Sequence, residues 1–463
     1  MSSNIDLFPA PSKALQASLN GASPVIFPGV TLEGTETLKS ILRENHEKYH
    51  VFFNDLRLVN HLGHRALAIW ALGAGKDVIQ KTFDDDSKIQ RPRGTTPAPI
   101  TRDNFNEHLG DPKYYDGYVT YFVNLIRTGK TPAQLLEEYV FSPAMNTPNG
   151  AGENPHMLAR FLDGAYHSMI WTGYGIEFGL PGVVAESLAQ CAAYTTKYAS
   201  LISGCFSLAN KSESESIHAF SVVDRFLKDD NVRIPPPNAR DFGNSLKFIL
   251  ENDIDPILDH VAAWSDFADS EINRKMEEVV WTNTLMYASG GFKLRENKEE
   301  FNADFFGMHT VTSSLFLPTI LSVLSPGSQK LLLRTYFAVS LVAWAMRGKP
   351  VLDIRTFFTT PVPALVPPTA SGHDYGVDRN PWLDLINHSI IHPDDHLVKI
   401  QRTLAHFNTL YGSIKAGEFS PRTELDGAEL VDGTLWLRAA VLTANRVVEL
   451  EEKEYWDRAG YFQ

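Results

Sequence analysis

The chain has 463 residues, 43% of them hydrophobic and 21% charged, as in an ordinary globular protein. Its formal net charge of -13 argues against nucleic acid or an anionic membrane as the main partner, because both are met by a basic face. There are only two cysteines, Cys191 and Cys205, and neither sits in a C-x-x-C pair, which argues against a Cys-based zinc or redox site and a disulfide framework.

Residues 1–34 are rich in Ser, Pro and Gly and read as an extended arm. The arm has no apolar run of signal-peptide length, so a reducing, cytoplasmic location is expected. Periodicity then predicts helices over Glu36–His50 and Asn54–Ala74, a charged loop over Thr82–Thr101, and a helix from Pro112 to Thr128. Thr131 and Pro132 suit the N-cap and first position of a helix reaching Phe141. After a Gly/Pro/Asn loop over Ser142–Asn154 come helices Pro155–Thr172 and Pro181–Leu201, separated by Gly173-Tyr-Gly. Further helices are expected at Ser212–Leu227, Ser245–Leu250, Pro256–Asp266, Glu271–Met286, Ala303–Leu324 and Gln329–Arg347. Thr359–Asn380 is Pro/Gly-rich and reads as a connection or an active-site flap, and Pro393–Tyr411 and Ala428–Glu452 finish the chain. No stretch alternates at period two long enough to predict a strand, and no repeat of fixed period appears. The expected fold is all-α: one large multi-helix domain over 35–463.

Four stretches carry candidate chemistry. His61 and His64 are three apart on the predicted Asn54–Ala74 helix, so both imidazoles reach one metal, or one binds it and the other stands behind. One capped and one solvated histidine is an equally good reading. His167 follows Gly164, which leaves room beside the ring, and a helix ending at Gly173 folds Glu177 back as an acceptor for a ligand histidine. Glu177 reads equally well as a charge at a helix N-terminus. His309 shares a face with Phe305, Thr312 and Phe316, and its buried ring needs a partner, Thr312 or a backbone carbonyl. In Ile391-His-Pro-Asp-Asp-His-Leu-Val-Lys399, Pro393 suits a helix start, and His396 and Lys399 flank the buried stripe of Leu397, Ile400 and Leu404. A buried lysine there requires pairing or neutralisation, unless it snorkels out. His46, His50, His388, His392 and His406 have polar neighbours and read as surface residues. His373-Asp374 lies in a Ser/Gly loop, and no P-loop, G-x-S-x-G elbow or dinucleotide fingerprint is present.

Taken together, these stretches resemble the questin oxidase-like family, fungal oxygenases that open anthraquinone and related polyketide rings. The resemblance rests on Asn60-His-Leu-Gly-His64, Tyr114-Tyr with Glu138-Tyr-Val-Phe, and Gly164-Ala-Tyr-His167 with Gly173-Tyr-Gly-Ile-Glu-Phe. It rests further on Ala185-Glu186-Ser-Leu-Ala, His309-Thr-Val-Thr-Ser-Ser, Arg347-Gly-Lys-Pro and Asp394-Asp-His-Leu-Val-Lys399. It implies a mononuclear non-heme iron(II) site of four histidines and a carboxylated lysine. By position the ligands are His61 or His64, His167, His309, His396 and Lys399, with Lys399, Glu177 and His64 as residues that act on the chemistry. A carboxylated Lys399 is an oxygen ligand and no longer a buried ammonium. The chain departs from the family pattern at Val59 and Trp171, where a histidine often stands. The implied activity is a Baeyer–Villiger-like opening of an aromatic polyketide ring by dioxygen, and any reductant, such as NADPH, comes from outside the chain. Trp70, Trp171 and Trp344 are candidate pocket residues. The competing readings are a zinc or manganese hydrolase using the same histidines and a metal-free helical scaffold.

Overall fold

The computed structural model describes residues 5–11, 26–147, 155–208, 216–239, 241–295, 298–362, 380–448 and 455–461. The predicted flap with His373-Asp374 lies almost wholly outside the described residues. Among the described residues the fold is all-α apart from one short hairpin. Among the described residues no helix is long and apolar enough to cross a membrane. The chain forms two compact units, Met1–Phe206 with Phe316–Thr335, and Ser207–Leu315 with Tyr336–Gln463.

In the first unit, α1 (Leu32–Lys48) starts four residues before the predicted position. The reason is a cap: Thr31 Oγ1 accepts the Gly34 N–H at 3.0 Å. Leu38, Ile41, Leu42 and Asn45 form its buried stripe. The next helix, α2 (Leu62–Ala71), begins eight residues later than predicted, and His61 is its N-cap residue. Asn54 explains the delay, because its side-chain oxygen accepts the Leu58 N–H at 3.1 Å and holds a turn. Thr82 and Phe83 belong to a buried helical face of Lys76–Asp86, so the predicted loop starts only after it. The Thr131–Pro132 start is as predicted, with a full capping box to Gln134, but the α-helix stops at Leu136 and passes into a π-turn over Glu137–Phe141.

The helices α3 (Tyr115–Arg127), α4 (Met157–Glu177) and α5 (Pro181–Ala193) pack together. Gly173 and Gly175 do not end α4, contrary to the sequence reading. They are contact points instead: a Cβ at Gly173 would stand 2.4 Å from the Phe316 ring, and one at Gly175 2.7 Å from Val184 Cγ2. The true interruption of α4 is earlier. Gly164, Ala165 and Tyr166 all have left-handed backbone, with φ of 56°, 56° and 66°. Each non-glycine residue in that region costs about 1–2 kcal/mol.

In the second unit, α6 (Ile272–Gly291) leads into the antiparallel hairpin β1 (Phe292–Arg295) and β2 (Lys298–Phe301). The strands are four residues each, too short to leave a legible period-two pattern. Asp304 caps α7 (Phe305–Ser314) through the backbone N–H groups of Phe306 and Gly307. It also forms a fully buried ion pair with Arg347, 2.7 Å from Nη2. Removing either partner of such a pair costs roughly 3–5 kcal/mol. The core closes with α8 (Leu397–Tyr411) and α9 (Thr434–Val448). Gln401 Nε2 donates to the Ala440 carbonyl at 2.8 Å, Tyr287 meets Thr443 at 2.8 Å, and Trp281 packs edge-on to Trp436 at 4.8 Å. Residues 455–461 return to the start of α7, where Asp457 O accepts the Phe305 N–H and Asp457 donates its own N–H to Ala303 O.

Candidate functional site

In the first unit the structure brings His61, His64 and His167 together. His61 and His167 lie nearly parallel, ring centres 4.8 Å apart, with their Nε2 atoms 2.7 Å from each other. The Nδ1 of His167 donates to the Gly164 carbonyl, which the left-handed turn aims back at the ring. Since a carbonyl only accepts, Nδ1 carries the proton, and the neutral ring keeps its lone pair on Nε2. The strained turn thus orients a candidate ligand. Asp163 supports it from below: its Oδ1 accepts the Gly164 N–H at 2.7 Å, and Oδ2 accepts from Thr195 at 3.1 Å and from the Lys197 N–H at 3.2 Å. Burial pushes the Asp163 carboxyl above its ordinary value, partly opposed by these hydrogen bonds.

His64 is placed differently. It stacks on Trp171 with ring centres 4.5 Å apart and planes 11° from parallel, and Tyr174 flanks it at 5.8 Å. Trp171 is held in turn by Glu186, whose Oε2 accepts the indole N–H at 3.0 Å while Oε1 meets His46 Nδ1 at 2.6 Å. Trp171 therefore belongs to the histidine cluster. Trp70 instead packs edge-on to Phe178 and donates to Thr35, and Trp344 is fully buried in the core.

Glu177 is a correction. It is the last residue of α4, ten residues beyond His167 on a continuous helical run, so about 15 Å along the axis separates them. Glu177 cannot serve as acceptor for the His167 ring, and the Gly164 carbonyl does so instead.

In the second unit His309, His396 and Lys399 converge with Phe305. The His309 Nδ1 donates to the Phe305 carbonyl at 2.7 Å, which again leaves the lone pair on Nε2. The His309 and His396 rings are 5.3 Å apart, and Phe305 stands edge-on to both, at 4.6 and 5.0 Å. The His396 Nδ1 faces Asp395 at 2.9 Å and Asp394 at 3.8 Å. Burial is the largest influence on His396 and disfavours its imidazolium, but the Asp395 charge and the hydrogen bonds to Asp394 and Asp395 together hold the ring's pKa above its ordinary value. Asp394 also shifts the helix start. Its Oδ1 accepts the N–H groups of His396 and Leu397 at 2.9 and 2.8 Å, so α8 begins at Leu397 and not at Pro393. Lys399 is buried, with Nζ 3.4 Å from Asp395 Oδ2, so Asp395 serves both His396 and Lys399.

Sequence reasoning carried Asp395, Glu186 and Tyr174 only as parts of landmark stretches, with no role of their own at the site, and missed the 455–461 segment. It also placed His46, His50, His392 and His406 on the surface, whereas His50, His392 and His406 are buried and His46 is largely covered. Spacing to polar neighbours carries no information about which face is covered. His167 and His309, one in each group, have the donor chemistry of a first-row metal site: neutral imidazoles whose Nδ1 is anchored by a main-chain carbonyl.

The family model described as questin oxidase-like matches residues 58–404. Similar proteins include a Baeyer–Villiger oxidase of Emericella nidulans, 27% identical over 98% of this chain and 96% of the relative. A questin oxidase of Aspergillus fumigatus is 26% identical over 92% of each chain. A Baeyer–Villiger monooxygenase of Aspergillus aculeatus is 28% identical over 83% of this chain and 80% of the relative. The histidine-bearing stretches from His61 to Lys399 all fall inside the matched region, and the chain belongs to the questin oxidase-like family.

Proposed function

We propose that this protein is an oxidoreductase that uses iron and dioxygen to open a ring of an anthraquinone-type aromatic polyketide, with a Baeyer–Villiger-like outcome, in secondary-metabolite biosynthesis. The oxidase and monooxygenase names of its relatives support the oxidoreductase class. The observation that carries the metal reading is the 2.7 Å approach of the His61 and His167 Nε2 atoms. Two nitrogens bonded at right angles to one ion at roughly 2.1 Å stand about 3 Å apart, close to that spacing.

The proposed ligands are His61, His167, His309, His396 and a carboxylated Lys399. His64 supports the set from its stack on Trp171 and is not itself a ligand. When bound, iron(II) would supply the electrons that let dioxygen react with a closed-shell aromatic. The chain's own residues do the positioning. Gly164 and Phe305 carbonyls fix the tautomers of His167 and His309. Asp395 orients His396 and lies beside Lys399. Any reductant, such as NADPH, would act from outside the chain.

Metal analysis of protein purified without chelator tests the reading. One iron per chain, with oxygen uptake only when a hydroxyanthraquinone is added, is the expected result. Zinc or manganese without oxygen uptake points to a hydrolase, and no bound metal to a helical scaffold.

A further inference from the structure

The C-terminal segment 455–461 lies beyond the region matched by the family model, yet it sits on the His309–His396 group. Its placement is firmly tied. The Asp457 backbone pairs with Ala303 and Phe305, its carboxylate accepts the Ala303 N–H at 2.8 Å, and Arg446 holds the same carboxylate at 2.9 Å. Tyr461 N–H donates to the Arg347 carbonyl at 3.1 Å. Two side chains of the segment reach toward the histidines. Trp456 is buried, edge-on to His396 at 6.2 Å. Arg458 is exposed and places its guanidinium carbon 4.3 Å from the centre of the Phe305 ring.

Phe305 is the ring that touches both His309 and His396. Arg458 therefore stands one aromatic ring away from the two histidines. Among the described residues no carboxylate pairs with its guanidinium; the neighbouring Asp457 is engaged by Arg446. A cation–π contact over Phe305 places the guanidinium without using up its N–H fork. A held fork with open donors at the edge of a histidine site is suited to an oxygen anion on a planar ligand.

We propose that Arg458 is a specificity residue that receives the anionic oxygen, phenolate or carboxylate, of a flat aromatic ligand seated beside Phe305. The proposal rests on the aromatic-substrate reading above and adds the charge of the substrate and the residue that selects it.

The test is calorimetric binding of anthraquinone-2-carboxylate and anthraquinone-2-carboxamide to the full chain, without turnover. The parent protein should prefer the carboxylate by about tenfold, the size of one charge-assisted hydrogen bond. Arg458→Gln should abolish that preference and leave carboxamide affinity within about twofold, and Arg458→Lys should keep part of it, as a point charge without the fork. Raising the salt concentration should narrow the preference in the parent and not in Arg458→Gln. If both ligands bind and Arg458→Gln keeps the preference, the assignment of Arg458 is wrong while the aromatic reading stands. If neither ligand binds, both are overturned.

Discussion

His64 and Trp171 lie face to face at 4.5 Å, while three residues earlier His61 turns its Nε2 to within 2.7 Å of His167. The H-x-x-H pair thus straddles a helix start, with His61 in the cap position and His64 in the first turn. The two rings point to different tasks. His61→Ala and His167→Ala should each remove iron while the helical circular dichroism survives. His64→Ala should weaken iron binding or activity by roughly 10–100-fold, as expected for a residue that orients a ligand. Iron content measured after gel filtration decides the matter, and full iron in His61→Ala would reverse the assignment.

Lys399 separates the proposed oxygen ligand from a simple ion pair. Its Nζ is 3.4 Å from Asp395 Oδ2, a contact that an ammonium makes and a carbamate would not. Lys399→Arg retains the charge toward Asp395 and cannot be carboxylated. Iron binding should therefore be lost in Lys399→Arg as well as in Lys399→Ala, and bicarbonate should restore activity to a decarboxylated parent alone. Native mass spectrometry showing an unmodified lysine in an active, iron-loaded protein would remove the carbamate.

Gly164 meets two constraints at once. Its φ is +56°, and a Cβ there would stand 2.3 Å from Tyr194 Cζ. Tyr194 is buried and has little room to yield. Gly164→Ala should therefore cost roughly 2–4 kcal/mol from left-handed strain and overpacking together. A fall in urea midpoint should accompany loss of iron, because the carbonyl that fixes His167 moves with the turn. An unchanged midpoint would show that the turn is not as strained as its geometry implies.

His218 predicts an acid-sensitive second unit. Burial lowers its pKa to about 4, with Glu278 opposing and Lys275, Arg422 and Arg274 reinforcing the shift. The folded value lies below the ordinary 6.5, so the unfolded chain binds more protons between about 6.5 and 4. Stability should be complete above that window and fall as pH drops through it, by roughly 3 kcal/mol from this residue. The neutral ring accepts the Phe220 N–H on Nδ1 at 3.1 Å, a cap that asparagine can replace. His218→Asn should flatten the dependence of the urea midpoint on pH between 6.5 and 4, and matching profiles for the two proteins would refute the attribution.

Helical periodicity made the existence of α1 and α3 and the buried stripe of α8 legible, because apolar spacing marks which face is covered. The His309 partner was also readable as a choice between Thr312 and a carbonyl, and the Phe305 carbonyl fills it. The glycines of Gly173-Tyr-Gly were misread because a helix terminator and a close-packing contact have the same residue type. The start of α2 was misread because Asn54 diverts the chain through a side-chain hydrogen bond that periodicity does not register. Arg458 carries no motif at all; only the tie between Asp457 and the start of α7 reveals what it stands on.

The anchors of His167 and His309 are main-chain carbonyls, one from a broken helical turn and one from an intact turn. A carbonyl is present whatever side chain the residue bears. Ordinary substitutions at Phe305 can reshape the neighbouring pocket and still leave the His309 proton where it is. Tautomer control is thereby decoupled from side-chain identity, and drift in the surrounding residues can retune the ligand pocket without rewriting the protonation of these two imidazoles.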